Sequence, residues 1–534
     1  MKNGISYKQN KIEGNYDFIL IGSGIGSLSC AAVLSHYGKK CLVLEKHYTA
    51  GGYTHVFTRK GYEWDVGVHY IGDVNRPNTL LYKVFDFVTQ GRLKWEDMGD
   101  VYDRIFLGKE EFPFVKGTQN FKDELKKKFD SEEDGKAIDQ YVDLIYKANS
   151  TSRGFFAEKA VPDFVARFFG NRMRKDFVAY SNKTTLEVLQ KITSNKKLIT
   201  VLTGQYGDYG LPPSESSFAM HASLVKHYLK GAAYPIGGSG QICASVLPTI
   251  RQAGGEVYTN AGVQSILFEG KKAVGVKMED GKEFFAPTII SGAGWYNTNR
   301  LIPDTIDGKI KWKQNDNKVS RSASHVSLYI GLEGTTEELG LGKANYWIYP
   351  DDYDHDLTLS KYLKDPEENF PMVYISFPSA KDPNWKERYP GKSTIEIITI
   401  APYEWFNKWE GTKWKKRGED YEALKEKFAQ RMLEYLYEKE PQVKGKIDFY
   451  ELSTPLSTRH FANYDAGEIY GLSHDPQRFQ QRFLKPKTPF KNLLLTGQDI
   501  ATAGVGGALV AGVLTASTIL KKNIIKEIAA IKKD

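Results

Sequence analysis

The sequence predicts an α/β fold: a parallel sheet carrying a nucleotide-binding glycine turn, interleaved with a second lobe of mixed α+β character. Three observations carry this. The apolar run "FILI" at 18–21 passes directly into the glycines of "GSGIGS" and then into small residues suited to a helix. A second apolar run, within "KKCLVLEK" at 39–46, ends in the acid Glu45. The chain of 534 residues is also too long for one ordinary hydrophobic core, so at least two lobes are expected.

The first strand, turn and helix follow from these residues in order. Gly22 permits the tight turn, and Gly24 keeps a side chain out of the path of a pyrophosphate approaching the helix N-terminus. Free N–H groups and the helix dipole there favour negative charge. Gly26 adds a third small residue, but the last glycine of a G-x-G-x-x-G pattern is replaced by Ser27, which should fit with some displacement of the helix. The helix "SLSCAAVLSHYG" should end at Gly38. Glu45 follows the glycines by about 20 residues, the spacing at which an acid accepts hydrogen bonds from a dinucleotide ribose. A glutamate ending a strand is otherwise simply a solvated terminus. Beyond it, Gly51 and Gly52 again let backbone approach closely, with Lys46 and Thr54 counted on the cofactor side.

This second glycine pair resembles the flavin-binding signature of the amine oxidase and phytoene desaturase superfamily, which implies FAD rather than NAD. The resemblance sharpens along "GGYTHVFTRKGYEWDVGVHYIG" at 51–72, which is similar to the retinol saturase branch of the phytoene desaturase and carotenoid isomerase family. Blocks at 218–266, 377–399 and 492–520 resemble the same family, so the likeness spans nearly the whole chain and is weakest at 100–200. It implies a Rossmann-type FAD-binding domain assembled from 16–75, 231–300 and 450–534, with 76–230 and 301–449 forming the substrate lobe. Within 231–300, alternating residues around the turns Glu269-Gly270 and Asp280-Gly281 read as a β-meander, and the family holds adenine by backbone near Val263. "NYWIYP" and "MVYISFP" read as strands and "EDYEALKEKFAQRMLEYLYE" as an amphipathic helix.

In "NLLLTGQD" a buried strand leads to Gly497 and Asp499. The matching family acid reaches the ribityl chain or pyrophosphate, although an Asp there also suits a helix N-cap. The uncharged "GVGGALVAGVLTASTIL" that follows, with Gly506 on the cofactor side, is shorter than the ~20 residues of a membrane span and reads as a buried helix. In "YPIGGSG" the family implies that Gly237 and Gly238 look onto the flavin ring, with Tyr234 beside them; a plain loop is the alternative. No convincing strand precedes "GGSG" and no acid follows, so a second dinucleotide site is not expected, and the sequence assigns no electron donor or acceptor. His69 and Tyr70 in "GVHYIG" are the acid/base candidates, because a proton must accompany hydride transfer to a carbon–carbon double bond. A histidine among aromatics is equally suited to a structural role.

Charged residues make up 26% of the chain and the net charge is +8 without a dense basic run, so nucleic acid is not an expected partner. The mean hydropathy of -0.45 excludes a polytopic membrane protein. Cys30, Cys41 and Cys243 form neither a CxxC pair nor a metal-ligand cluster, so no metal is assigned and a reducing, cytoplasmic setting is expected. The N-terminus shows no apolar signal segment. The expected activity is FAD-dependent oxidoreduction of carbon–carbon double bonds in an apolar polyene or lipid, retinoid or carotenoid in type, with saturation favoured. Desaturation and redox-neutral cis–trans isomerisation use the same elements. An amine oxidase is a rival enzyme, and a non-redox prenyl-lipid escort protein would instead have lost its flavin contacts. A polyene partitions into lipid, so peripheral docking on a membrane surface is a further expectation. It is centred on Phe155, Phe156, Phe164, Phe168 and Phe169 with Arg167, Arg172, Arg174 and Lys175; a lid helix is the alternative.

Overall fold

The protein is described by a computed structural model over residues 3–531. Its first layer is a six-stranded, wholly parallel sheet in the order Ile5–Ser6, Glu256–Thr259, Cys41–Leu44, Phe18–Ile21, Thr288–Ser291, Leu493–Leu495. The two central strands at 18–21 and 41–44 are buried along their whole length, as continuous apolar runs require. On one face lie the helices Ile25–His36, Gly240–Gln252 and Gly504–Leu520. The opposite face packs against the three-stranded antiparallel sheet Val263–Glu269, Lys272–Met278, Glu283–Phe285. The expected meander is therefore these three strands, while 256–259 belongs to the parallel sheet, where its partners are 5–6 and 41–44.

The second lobe is a seven-stranded mixed sheet in the order Ile447–Ser453, His325–Glu333, Lys392–Ile400, Val373–Ser376, Asn345–Tyr349, Val101–Leu107, Glu110–Val115. Helix Glu419–Lys439 packs on one face, and a helical cap including Glu132–Glu158, Asp163–Ser181 and Phe218–Tyr228 adjoins the other. Strand 447–453 shows that a lobe boundary at 450 cuts a strand of the substrate sheet. The hairpin Val56–Arg59 and Tyr62–Asp65 crosses the other way: Tyr62 lies flat on Gly331, and Trp64 Nε1 donates to Ile330 O at 3.0 Å.

Two other expectations change. A strand, Ala232–Pro235, does precede "GGSG", but it pairs antiparallel with Ile71–Gly72 and Trp95–Asp97, so this segment is not the strand–turn–helix opening of a parallel dinucleotide-binding unit. Across 154–177 the backbone leaves helix Glu132–Glu158 and re-enters helix at Asp163; Phe155 is buried against Phe177, and Arg174 is buried with its guanidinium donating to Phe479 O. Phe155 and Arg174 are thereby withdrawn from any docking surface.

The helices Ile25–His36 and Gly504–Leu520 touch backbone to backbone. A Cβ on Gly26 would stand 2.6 Å from Gly497 Cα, and one on Gly512 would stand 2.3 Å from Gly26 O. Because both neighbours are backbone, Gly26→Ala must part the helix from the Gly497 turn, and a destabilisation of at least about 1–3 kcal/mol is expected, read as a lower midpoint of unfolding by circular dichroism. A wild-type midpoint would show that this contact yields without cost.

Candidate active site

A cavity of about 1020 Å³ runs between the two lobes. Its floor is the end of the parallel sheet. Gly22, Gly24, Gly26, Ser27, Glu45, Lys46, Gly51, Gly52, Thr54, Val263, Gly497, Asp499 and Gly506 all line it, drawn from both ends and the middle of the chain. The turns that bring them together use left-handed backbone at Gly22 (φ 86°), Gly51 (φ 127°) and Gly52 (φ 56°).

The fit to an adenine dinucleotide rests on open backbone and free acceptors. A Cβ on Gly24, Gly497 or Gly504 would meet nothing within 4 Å, so at these three points bare backbone faces open space. Glu45 Oε2 accepts from Ser23 N at 2.8 Å and Ser23 Oγ at 2.6 Å, and Oε1 accepts from His47 N at 2.7 Å. A carboxylate offers about four acceptor positions, so one is left for a ribose hydroxyl. Lys46 is paired at 2.9 Å with Glu279 on the surface. Helix Gly504–Leu520 has no side-chain cap, and its first turn lines the cavity with its N–H groups and positive dipole end available. These residues fit FAD. Cys30, Cys41 and Cys243 are buried and absent from the lining, so no thiol is placed to form a flavin bond.

Ser27 needs no displacement of its helix, contrary to expectation. A Cβ at Gly292 would stand 2.1 Å from Ser27 Oγ, so the room that the third glycine would have given is supplied by a glycine after the neighbouring strand. Asp499 does not cap the helix that follows it. Its Oδ2 accepts from Trp295 N at 2.7 Å, at the start of helix Trp295–Leu301, and its Oδ1 from Leu472 N at 3.1 Å.

The "YPIGGSG" segment turns away from the cavity. Gly237 N donates to Asp382 Oδ1 at 2.8 Å, and Gly238 lies against Glu63 and Arg388. Arg388 joins those elements by ion pairs of 2.6 Å to Glu63 and 2.7 Å to Asp382. Tyr234 is likewise behind the wall: its buried hydroxyl donates to Asp65 Oδ2. Gly237, Gly238 and Tyr234 are thus removed from the set that touches cofactor or substrate, because this loop is held by the second lobe and not by the parallel sheet.

His69 and Tyr70 do line the cavity, and a tier of ionisable groups stands behind them. His69 Nδ1 is 3.3 Å from Glu396 Oε2 without hydrogen-bond alignment, and burial pushes the imidazole down to about 3, so it is neutral. Glu396 Oε1 accepts from Asp65 N at 2.8 Å, and burial together with the Asp65 charge raises its carboxyl. Burial also lifts Asp65 to about 6 and lowers Lys381 to about 7. Lys381 Nζ donates to His69 O at 2.9 Å, to Ser376 Oγ at 2.7 Å and to Asn345 Oδ1. Tyr70 Oη touches both Asp103 and Asp208. Sequence patterns had singled out none of Asp65, Asp103, Asp208, Lys381 or Glu396; the one local sign was the turn-rich "GQYGDYG" around Asp208.

Glu45→Arg should strip the ribose acceptor and oppose Lys46 with a like charge. A clear fall in flavin per protein is expected in the visible spectrum of the purified variant, and unchanged flavin content would remove Glu45 from the cofactor site. Heat or acid denaturation of wild type should release all flavin to the supernatant.

A family model described as flavin containing amine oxidoreductase matches residues 28–520. The chain is similar to all-trans-retinol 13,14-reductase of Danio rerio, 37% identical over 98% of this chain and 89% of the relative. It is also similar to the chloroplastic prolycopene isomerase of Arabidopsis thaliana, 29% identical over 87% of this chain and 75% of that protein. Among solved structures, an oxidoreductase from Methanosarcina mazei shares the fold with a TM-score of 0.61 at 17% identity, covering 95% of this chain and 100% of that one. Open glycine turns, a ribose acceptor and a family match over most of the chain agree: the protein belongs to the flavin containing amine oxidoreductases, in the group that includes retinol reductases and carotenoid isomerases, and is an FAD-dependent oxidoreductase.

Proposed function

We propose that the protein saturates a carbon–carbon double bond in an apolar polyene of retinoid or carotenoid type. The observation that carries this reading is one continuous cavity that joins the glycine turns to an end lined by Trp347, Tyr374, Met372, Ile398 and Leu224. Such a lining suits a long hydrocarbon, and the same cavity presents His69, Tyr70 and Asp208 as polar groups. Bound flavin supplies a hydride together with its electron pair. The chain's own share is to hold the polyene in register by aromatic packing, to keep water from the reacting carbons, and to place a proton donor beside them. The names of the two relatives, a retinol reductase and a prolycopene isomerase, support a polyene as substrate.

The test is anaerobic incubation of chemically reduced enzyme with all-trans-retinol, other retinoids, carotenoids and unsaturated fatty acids, followed by mass spectrometry. A product heavier by two hydrogens is expected from at least one polyene. A product of unchanged mass but altered retention identifies isomerisation, and no product from any polyene overturns the reading.

The same reading includes docking on a membrane surface from the cytoplasmic side. Phe164, Phe168 and Phe169 are 68%, 77% and 57% exposed on helix Asp163–Ser181, beside the exposed Arg167, Arg172 and Lys175. Phe156, which lines the cavity, packs against Phe177 of that helix, so the patch adjoins a route for an apolar substrate. Among the described residues no single helix is long and apolar enough to cross a membrane; the pair Gly504–Leu520 and Ile524–Ala530 has the composition but is bent by 116°. Binding to anionic liposomes in flotation is expected, weakened by salt and by Phe168→Ser combined with Arg172→Glu. Wild type that stays at the bottom of the gradient at low salt would leave the segment as a lid.

A further inference from the structure

Tyr70 Oη lies 2.9 Å from Asp103 Oδ2 and 2.9 Å from Asp208 Oδ2. A phenol has one O–H hydrogen and can donate it to one carboxyl only. The second contact is a hydrogen bond only if that carboxyl is itself protonated and donates to the phenol oxygen. The donors around the pair decide which it is. Asp103 Oδ2 also accepts from Gln205 Nε2 at 2.7 Å, and its Oδ1 accepts from Asn345 Nδ2 at 3.1 Å. Three donors converge on Asp103, the arrangement that stabilises a carboxylate. Among the described residues Tyr70 is the one side chain hydrogen-bonded to the Asp208 carboxyl, and no ion pair reaches it. Its other neighbours are phenols, with Tyr228, Tyr374 and Tyr470 close enough to feel its charge. Of the two acids, only Asp208 lines the cavity.

We propose that Asp208 is the acid of this site: a neutral carboxylic acid, fixed in that form by Tyr70 and Asp103, that gives its proton to the substrate. This rests on the reading of the protein as a double-bond reductase. The π bond opens: one carbon takes the hydride, whose two electrons are the cofactor's share, and the π pair binds its neighbour to the Asp208 proton. Asp208 is left a carboxylate, towards which Tyr70 can turn its O–H, and it regains a proton from water entering the emptied cavity; a soluble two-electron donor restores the reduced cofactor. Electrostatics agree with the geometry, since burial and the neighbouring Asp103 charge hold Asp208 well above the usual carboxylate range, while burial lifts Asp103 to about 7 against its three donors and Lys381. His69, neutral through burial, holds no second proton to give. Asp208 is the catalytic residue, and Tyr70 and Asp103 are positioning residues.

The protonation state can be read without turnover. In infrared spectra of the purified flavoenzyme, wild type minus Asp208→Asn should show a carboxylic-acid C=O band that moves to lower frequency in D2O. Tyr70→Phe keeps the acid but removes its hydrogen-bond partner, so the same band should remain and shift, a check that stands even if Asp208→Asn fails to fold. Absence of the band from the difference spectrum, or a band unmoved in Tyr70→Phe, overturns the assignment. The catalytic half is read in single turnover with reduced enzyme and the polyene that gives product: Asp208→Asn should keep its flavin and its reduction by dithionite yet lose about 10²–10⁴-fold in rate. A rate within a few-fold of wild type overturns it. Failure of every polyene in the panel would refute the reductase reading while leaving the infrared result standing, so the two are distinguishable.

Discussion

The fold depends on one seam where glycine lets backbone meet backbone. Helix Ile25–His36 leaves the first strand at Gly22 and is pressed by the turn at Gly497 and by helix Gly504–Leu520, from the far end of the chain. Side chains tie the seam without widening it: Ser29 Oγ donates to Leu509 O at 2.9 Å, and Thr515 Oγ1 to Leu495 O at 2.9 Å. Arg478, buried, donates to the carbonyls of Leu472, Gln498, Asp499 and Ala501 and so fixes the turn above it. This contact joins the two ends of the chain, so the cofactor floor is built from segments some 480 residues apart. A wider seam would separate the two helix N-termini that face the cavity.

The second constraint is electrostatic. Asp65, Asp103 and Glu396 lie behind the cavity wall and Asp208 in it, with Lys381 as the ammonium that acts on Asp65, Asp103 and Glu396. Burying an unpaired charge costs several kcal/mol, so four ionised carboxyls against one ammonium would not persist. The arrangement is stable if protons are retained, and the directions of the shifts agree: burial lifts all four acids, and neighbouring charge adds to it at Asp65, Glu396 and Asp208. Burial in this low-dielectric surrounding thus favours the protonated form of each acid, opposed at Asp103 by its three donors. The aromatic wall and the retained protons are two consequences of the same low dielectric.

The lobes are not independent. The hairpin 56–65 leaves the nucleotide-binding region, lies on strand His325–Glu333 and ends in Asp65, whose backbone N–H reaches Glu396 of the substrate sheet. Cofactor floor and acid tier are therefore positioned by the same short segment. This explains why the glycine loop at 237–240 faces the tier and not the floor: Ser239 N donates to Asp65 Oδ1 at 3.1 Å.

What the sequence by itself determined is the part whose physics is local. A strand, a glycine turn, a helix and a second strand ending in an acid are dictated by steric freedom, dipole and apolar runs among consecutive residues, and 18–45 folds as those residues require. The family blocks extended this to a flavoprotein of nearly the whole chain. Only the tertiary structure decided where distant residues pay for one another's shape and charge. Ser27 is accommodated because Gly292 lies opposite it, a compensation across 265 positions that no local pattern records. Tyr234 and the 237–238 glycines face a wall fixed by Arg388 and Asp65, although their sequence suits a cofactor loop. Tyr70, Asp103, Asp208, Gln205 and Asn345 come from four separate stretches, and the protonation of the two acids is set by which of the others the fold brings within 3.1 Å of each. Backbone sterics act between neighbours in sequence, whereas burial and charge act between neighbours in space.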